Sequence, residues 1–439
     1  MGSGTTLEYC ELTDIGRRRS NNQDSKAVLP PWDAAQYRRR GWLFVVADGM
    51  GAHAAGEMAS ALAVEHVPLV YEKKAVRSPP LALKSSIEQA NSEIFARGES
   101  AVDLRGMGTT CTALALLPRG ALVGHVGDSR VYRVRAATID QLSCDHSLAW
   151  EMEAHRPAGA EEAIPKNIIT RSMGPHPTVK VDVEGPFPVE ADDVFVLCSD
   201  GLSNQVADEE IGLVAGGLAA PAAAAALVGL ALVRGAPDNV TVIVARAGER
   251  EASNDTDPAP WPLTEEPAAT TNHRPAPWGL LAVAAGSLLA ALVAYGLLST
   301  GYAREALGDS VAEALAVAVP GVLGLAFIGS LTAAIAGAMA PQGSDVRFLR
   351  PGARIGGGPY RTRGCTPSAE LLEGIVSSVE AAADGLSTRD RERLLAAVTE
   401  ARMPIAAGDF PKSLASAAAA IAIYRQIVEA ARSDATAHG

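Results

Sequence analysis

Cysteine is scarce and carries no pairing pattern: Cys10, Cys111, Cys144, Cys198 and Cys365 are odd in number and form no CxxC. That argues against a disulfide framework and for a reducing compartment. No Cys or His cluster has zinc-ligand spacing, so a soft-ligand metal site is not indicated. Basic excess is missing too. The formal net charge is −12 and the pI about 5.2, which argues against a nucleic-acid binder, since neutralising phosphates needs a basic stripe. Aromatic residues make up only 5% against an apolar fraction of 48%, and alanine supplies much of the difference. The N-terminus, MGSGTTLEYCELTDIG, lacks the charged and apolar regions of a secretory signal.

Two further absences organise the chain. Residues 275–303 and 314–344 contain no charged side chain, and each run exceeds the roughly 20 apolar residues that cross a bilayer as a helix. Before them lies a polar, acidic, Pro-rich stretch, 249–277, expected to be a disordered linker. Transmembrane helices are expected at 278–302 and 314–340, joined by the short REALGDSVAE. Arg347, Arg350, Arg354, Arg361 and Arg363 follow the second. By the positive-inside rule this flank stays cytoplasmic. The two helices then form a hairpin in the cell membrane, a multi-pass anchor with both the N-terminal domain and the tail cytoplasmic; a single span is the alternative. An Arg/Gly-rich loop is expected over 341–366 and a small helical bundle over 367–433, where Leu371, Leu372, Ile375, Val376 and Val379 share one helical face.

What the first 248 residues do contain is a repeated arrangement. Four times an aspartate borders an apolar, β-branched run: LFVVA runs into Asp48-Gly49, ALVGHV into Gly127-Asp128, VFVLC into Ser199-Asp200, and Asp238 opens VTVIVAR. Strand ends share sheet edges, so acids placed there can meet in one small volume. Gathered acids repel one another unless a cation sits among them, and carboxylate and carbonyl oxygens suit Mg²⁺ and Mn²⁺. An Arg-rich segment, TDIGRRRSNNQD, precedes the first long strand, and an arginine fork can hold a phosphate.

Together these segments resemble the metal-dependent protein phosphatases of type 2C in their bacterial form. TDIGRRRSNNQD, VVADGMGAHAAGEMAS, RGMGTT, GHVGDSRVY, LSCDHSL, NIITRSMG, LCSDGLSN and PDNVTVIV occur in the family's order across residues 5–248. The resemblance implies Asp48 as a ligand bridging two metals, with the Gly49 carbonyl beside it. Asp200 and Asp238 complete the first metal, Asp24 serves the second, and Asp128 binds a third together with Asp200. Arg19 matches the phosphate-binding arginine. The implied cofactors are two or three Mn²⁺ or Mg²⁺ ions. The implied reaction is hydrolysis of phosphoserine and phosphothreonine in proteins by a metal-bridging hydroxide, and the implied partners are phosphoproteins and a Ser/Thr kinase system.

Some positions depart from the family's pattern. Gln23 stands where members carry Glu, Ala52 where they carry Gly, and Met50 follows the metal-binding Asp-Gly. His53 and His146 are read as structural, and 147–167 as the flap beside the site. The expected fold class is α+β. Strands at 9–14, 25–29, 42–47, 110–117, 121–126, 130–135 and 194–198 pair as hairpins in two antiparallel sheets. Amphipathic helices at 55–72, 80–97, 208–215 and 221–234 cover them, giving a four-layer α-β-β-α sandwich.

Overall fold

A computed structural model of the chain describes residues 7–51, 55–154, 168–249, 260–264, 278–299, 305–339, 347–358 and 360–437. The chain divides into two units, Met1–Leu263 together with Phe348–Gly439, and Thr264–Arg347.

The first unit rests on two antiparallel sheets. Its elements run β1 (Glu8–Asp14), β2 (Asp24–Leu29), α1 (Ala34–Arg40), β3 (Trp42–Met50), α2 (Ala55–Lys74), α3 (Pro79–Ser100), β4 (Gly108–Thr109), β5 (Cys111–Leu117), β6 (Gly120–Val126), β7 (Arg130–Arg135) and β8 (Thr138–Gln141). Then follow α4 (Leu148–Ala154), β9 (Asp182–Phe187), β10 (Val194–Cys198), α5 (Asp200–Ser203), α6 (Asp208–Gly217), α7 (Ala220–Val233) and β11 (Val240–Arg246). One sheet has the order β2-β3-β5-β6-β9, with β4 added on β3. The other begins β1-β11-β10-β7-β8.

Burial explains the sequence pattern of the strands. CTALALL and GALVGHV are buried at every position, because both faces of these strands are covered. Phe44, Val46 and Leu114 of one sheet share a core with Val131, Phe195, Leu197 and Ile243 of the other. Behind the β2–β9 sheet, Ala59, Ala63, Val67 and Tyr71 of α2 and Leu83 and Ile87 of α3 pack on Val45 and Ala113. Behind the other sheet, α6 and α7 pack on Val196, Val242 and Val244.

Here the structure departs from the expected amphipathic helix at 221–234. α7 reads APAAAAALVGLALV and is buried on nearly every side, which a surface helix is not. The reason is the tail. Three helices, Ala369–Ala381, Thr388–Ala406 and Phe410–Ala437, follow in the C-terminal region. Leu372, Ile375, Leu394, Leu414, Ile421 and Tyr424 belong to the same core as α7. Gly229 of α7 has no side chain because Ile421 fills the space a Cβ would need. The tail is therefore a further layer of the N-terminal domain, and not a bundle with a core of its own.

Two more expected irregular segments contain strands. The Arg/Gly-rich stretch 341–366 supplies β14 (Arg361–Gly364), which pairs antiparallel with β8 as the outermost strand of its sheet. It also supplies β13 (Phe348–Leu349), which pairs with β12 (Trp261–Pro262) from the stretch expected to be a disordered linker. Trp261 is held because the Arg119 guanidinium lies 3.9 Å from its ring centre. Most of 249–277 lies outside the described residues.

The second unit contains two helices, Trp278–Leu298 and Asp309–Met339. They pack on each other, with the small residues Ala284, Ala291, Ala312 and Ala334 buried, as close helix approach requires. Pro320 lies inside the second without ending it. Among the described residues three helices are long and apolar enough to cross a membrane, the third being Phe410–Asp434. That third helix packs against α7 within the first unit.

Replacing Ile421 by Ala removes a branched side chain from the α7–tail core. The expected cost is about 2–5 kcal/mol, read as a lowered urea midpoint of the full chain in detergent. A change below about 0.5 kcal/mol, the range of a surface substitution, would show that tail and domain do not share a core.

Candidate metal centre

Strand pairing, not sequence distance, brings the acids together. β2 and β3 are antiparallel, so Asp24 at the start of one lies opposite Asp48 near the end of the other. β10 ends at Cys198 and the next turn starts α5 at Asp200. Asp238 precedes β11, the neighbour of β10. Asp128 occupies the turn from β6 to β7, where Gly127 takes φ +115° and leaves no room for a Cβ against Thr110.

Asp48, Gly49, Asp200, Asp238 and Arg19 line one cavity of about 710 Å³, with Gln23 on its wall. Asp24 and Asp128 are more deeply buried and do not line it. Asp24 Oδ2 accepts a hydrogen bond from Ser199 Oγ at 2.7 Å. Arg19 Nη2 donates to Asp238 Oδ2 at 2.6 Å, and this bond strengthens the hold of the guanidinium on its proton.

The acids disturb one another. Burial, then the fields of Asp24, Asp200, Asp128 and Asp238, raise the Asp48 carboxyl well above the usual carboxylate range. Burial pushes Asp24 up to about 7, against hydrogen bonds from Thr241 and Ser199. Asp128 is pushed up to about 7 by burial and by Asp200. Asp200 is raised by burial and by Asp238, while a hydrogen bond with Asp48 and the charge of Arg19 act against this.

The donor set suits a hard divalent cation. Asp24 Oδ1 and Asp128 Oδ1 are buried without a hydrogen-bond partner, a costly state for a carboxylate unless something positive compensates it. The oxygens are of the kind that Mg²⁺ and Mn²⁺ take. Among the described residues, no three His, Cys, Asp or Glu side chains close on a single point. Instead Arg19 holds Asp238, and Asp48 and Asp200 are hydrogen-bonded to each other.

Several supporting residues were not singled out by the sequence reading. Asn239 Oδ1 accepts from Gln23 N at 2.9 Å, and its Nδ2 donates to Ile15 O and Asn21 O at 2.8 and 3.0 Å. It thereby ties the Arg19 loop and β2 to the strand behind Asp238. Thr110 Oγ1 accepts from Asp48 N at 2.8 Å, and Asn204 Nδ2 donates to Asp200 Oδ2 at 3.1 Å. The signal was present, since Asn239 adjoins Asp238 and Thr110 lies in GMGTT; nothing in the sequence tells their orientation. The Gln23 carbonyl accepts from Gly49 N at 3.1 Å and from Ser60 Oγ at 2.6 Å. His146 accepts from Gly127 N at 3.0 Å and lies 2.9 Å from Asp182, outside the cavity. Ala52 and His53, and residues 155–167 of the expected flap, lie outside the described residues.

Comparison with known proteins identifies the family. A family model described as protein phosphatase 2C matches residues 16–225. The serine/threonine phosphatase Stp of Listeria welshimeri is 34% identical over 206 residues, 45% of this chain and 79% of that protein. Protein phosphatase PhpP of Streptococcus pneumoniae is 33% identical over 255 residues, 56% of this chain and 100% of its own length. Among solved structures, PstP of Mycobacterium tuberculosis is 34% identical, with a TM-score of 0.48 over 55% of this chain and 99% of its own. A PstP catalytic domain solved in complex with 2 manganese ions is 34% identical, with a TM-score of 0.47 over 55% of this chain and 97% of its own. The chain belongs to the protein phosphatase 2C family, among the bacterial PPM-type serine/threonine phosphatases.

The raised carboxyls set a pH dependence. Between the ordinary aspartate value near 4 and the native value of about 7 for Asp128, the folded state binds more protons than the unfolded one. Stability from this group therefore falls as pH rises through that window. In EDTA, the melting temperature of wild type relative to Asp128→Asn is expected to decline from pH 4 to pH 7. A widening advantage of wild type over the same window would refute the assignment.

Proposed function

We propose that this chain hydrolyses phosphoserine and phosphothreonine in proteins with the help of bound Mn²⁺ or Mg²⁺, from a position tethered to the membrane, and opposes a Ser/Thr kinase. The observation that carries this reading is the crowding of Asp48, Asp200 and Asp238 around one open cavity with Arg19 beside them. Asp48, the Gly49 carbonyl, Asp200 and Asp238 would hold the first ion; Asp48 and Asp24 would serve the second, and Asp128, with Asp200, a third. When bound, the ions supply an acidified water and neutralise charge on the phosphoryl group.

The chain's own side chains then act in defined ways. Thr110 fixes the backbone of Asp48, and Asn204 orients Asp200. Were Asp238 to hold an ion, the Arg19 fork now bonded to it would be free to take the phosphoryl oxygens, where two parallel bonds would favour one orientation of the substrate. Because Arg19 is half exposed at 48%, it can swing without disturbing a core. Gln23, an amide where relatives of this kind carry an acid, leaves one charge fewer beside the second ion.

The three separate cores, one between the sheets and one behind each, support the α-β-β-α order. The pairing of Trp261 with Leu349 supports a two-helix hairpin. These residues flank the two apolar helices, and strands can pair only if both flanks lie on the same side of the bilayer. The Arg-rich flank makes that side the cytoplasm. The packing of Phe410–Ala437 on α7 speaks against its use as a third span.

Full-length protein in detergent is expected to release phosphate from a phosphothreonine peptide with Mn²⁺ and not with EDTA. Asp200→Asn and Arg19→Ala should each lower kcat/KM by about 10²-fold or more. Metal-independent turnover, or an unimpaired Asp200→Asn, would overturn the reading. A reporter fused after Gly439 should report a cytoplasmic location, and a signal from the opposite side would leave only one span.

A further inference from the structure

The last helix of the tail reaches the loop that carries Arg19. β1 ends at Asp14, and the chain turns at Gly16 before Arg17, Arg18 and Arg19 enter solvent. The turn is gripped from two sides. On the inner side Gly16 takes φ +77° and lies so close to the Asp238 carbonyl that any side chain would strike it. Arg17 N donates to Ala236 O at 2.8 Å. The turn therefore abuts the backbone of a candidate metal ligand.

On the outer side stands Arg432, from the helix Phe410–Ala437. Its Nη1 and Nη2 donate to Asp14 Oδ2 and Oδ1 at 3.1 and 3.0 Å, and Nη2 also donates to Gly16 O at 2.6 Å. Asp14 is 9% exposed, and its Oδ1 accepts from Gly16 N at 2.8 Å as well. One guanidinium thus closes a small ring of bonds around the turn. About two helical turns earlier, Tyr424 Oη accepts from Arg17 Nη1 at 2.8 Å. Residues 17–20 are all exposed, so the direction in which Arg19 leaves the sheet depends on how Asp14 and Gly16 are held, together with the bonds of Asn239 to Ile15 O and Asn21 O on either side of the arginines.

We propose that Arg432 is a positioning residue for phosphoryl recognition: by clamping Asp14 and Gly16 it fixes the exit of the loop so that Arg19 faces the acid-lined cavity. The C-terminal tail thereby completes a site whose other parts all come from the first 240 residues. This rests on Arg19 as the phosphate ligand. A fork that binds two oxygens is sensitive to small displacements, and about 1 Å of misplacement can cost up to 10²-fold.

The test is a double-mutant cycle on the full chain in detergent, with a phosphothreonine peptide at saturating Mn²⁺. Arg432→Ala is expected to raise KM by about 10-fold, with kcat within about 3-fold. Arg432→Lys, which keeps the charge and a donor, should recover part of the loss. In the Arg19→Ala background, Arg432→Ala should change kcat/KM by less than about 2-fold, because residues acting through one contact are non-additive. Thermal melts and the Mn²⁺ concentration for half-maximal rate report folding and metal binding separately. An equal loss in both backgrounds, or a loss that follows the melting temperature, would make Arg432 a mere anchor and overturn the proposal. If Arg19→Ala raises KM while Arg432→Ala does not, only this inference falls. If Arg19→Ala leaves KM unchanged, the phosphate role of Arg19 falls, and this inference with it.

Discussion

Asp24, Asp48, Asp128 and Asp200 lie with Asp238 in and beneath one cavity, and burial holds the carboxyls of the first four above the usual carboxylate range. Much of the first unit serves to keep them there. Two sheets bring strand ends together, glycines at 49 and 127 let backbones approach where a Cβ would not fit, and Thr110, Ser199, Asn204 and Asn239 spend their polar atoms on fixing the acids and their loops. Such an arrangement is unfavourable to the fold by itself and favourable once positive charge enters. That exchange of stability for function is common at metal-dependent sites. Arg19 meets part of the demand within the chain through its bond to Asp238.

The tail changes how the domain is defined. Without it, α7 would expose an apolar face, and β8 would be an open edge, a state that proteins avoid because an unpaired strand recruits other chains. The tail helices cover the first and β14 pairs with the second. Arg361 adds a further tie, lying 3.5 Å from the centre of the Trp150 ring in α4 and bonding Glu153 at 2.6 Å. The tail follows the two apolar helices in the chain and packs on the domain that precedes them. The segment with the two apolar helices is therefore joined to the phosphatase domain at both ends, through β12 on one side and β13 on the other.

Much of the candidate site was legible from sequence because a strand-end acid has a local signature: Asp beside Gly or Asn at one end of an apolar run. Asp48, Asp128, Asp200 and Asp238 were all found in that way, and Asp24 and Arg19 through the ordered motifs around them. The long apolar strands and the helices α2 and α3 followed from periodicity for the same reason, whereas the shorter or more polar β8 and β9 were not read as strands. What was not legible depends on partners distant in sequence. The all-apolar composition of α7 was misread as amphipathic because its second covering comes from residues nearly two hundred positions later. RTRG in β14 has no hydrophobic alternation, and only the hydrogen-bonding edge of β8 makes it a strand.

The sequence by itself determined the family, the acids, the arginine beside them and the two uncharged stretches, because each is written in contiguous residues whose chemistry does not depend on context. The tertiary structure decided which acids line the cavity and which lie beneath it, that Asn239 and Thr110 hold the centre in place, and that the tail belongs to the phosphatase domain. Those facts arise from pairing and packing between segments far apart in the chain, where hydrogen-bond direction and excluded volume select the partner and local composition does not.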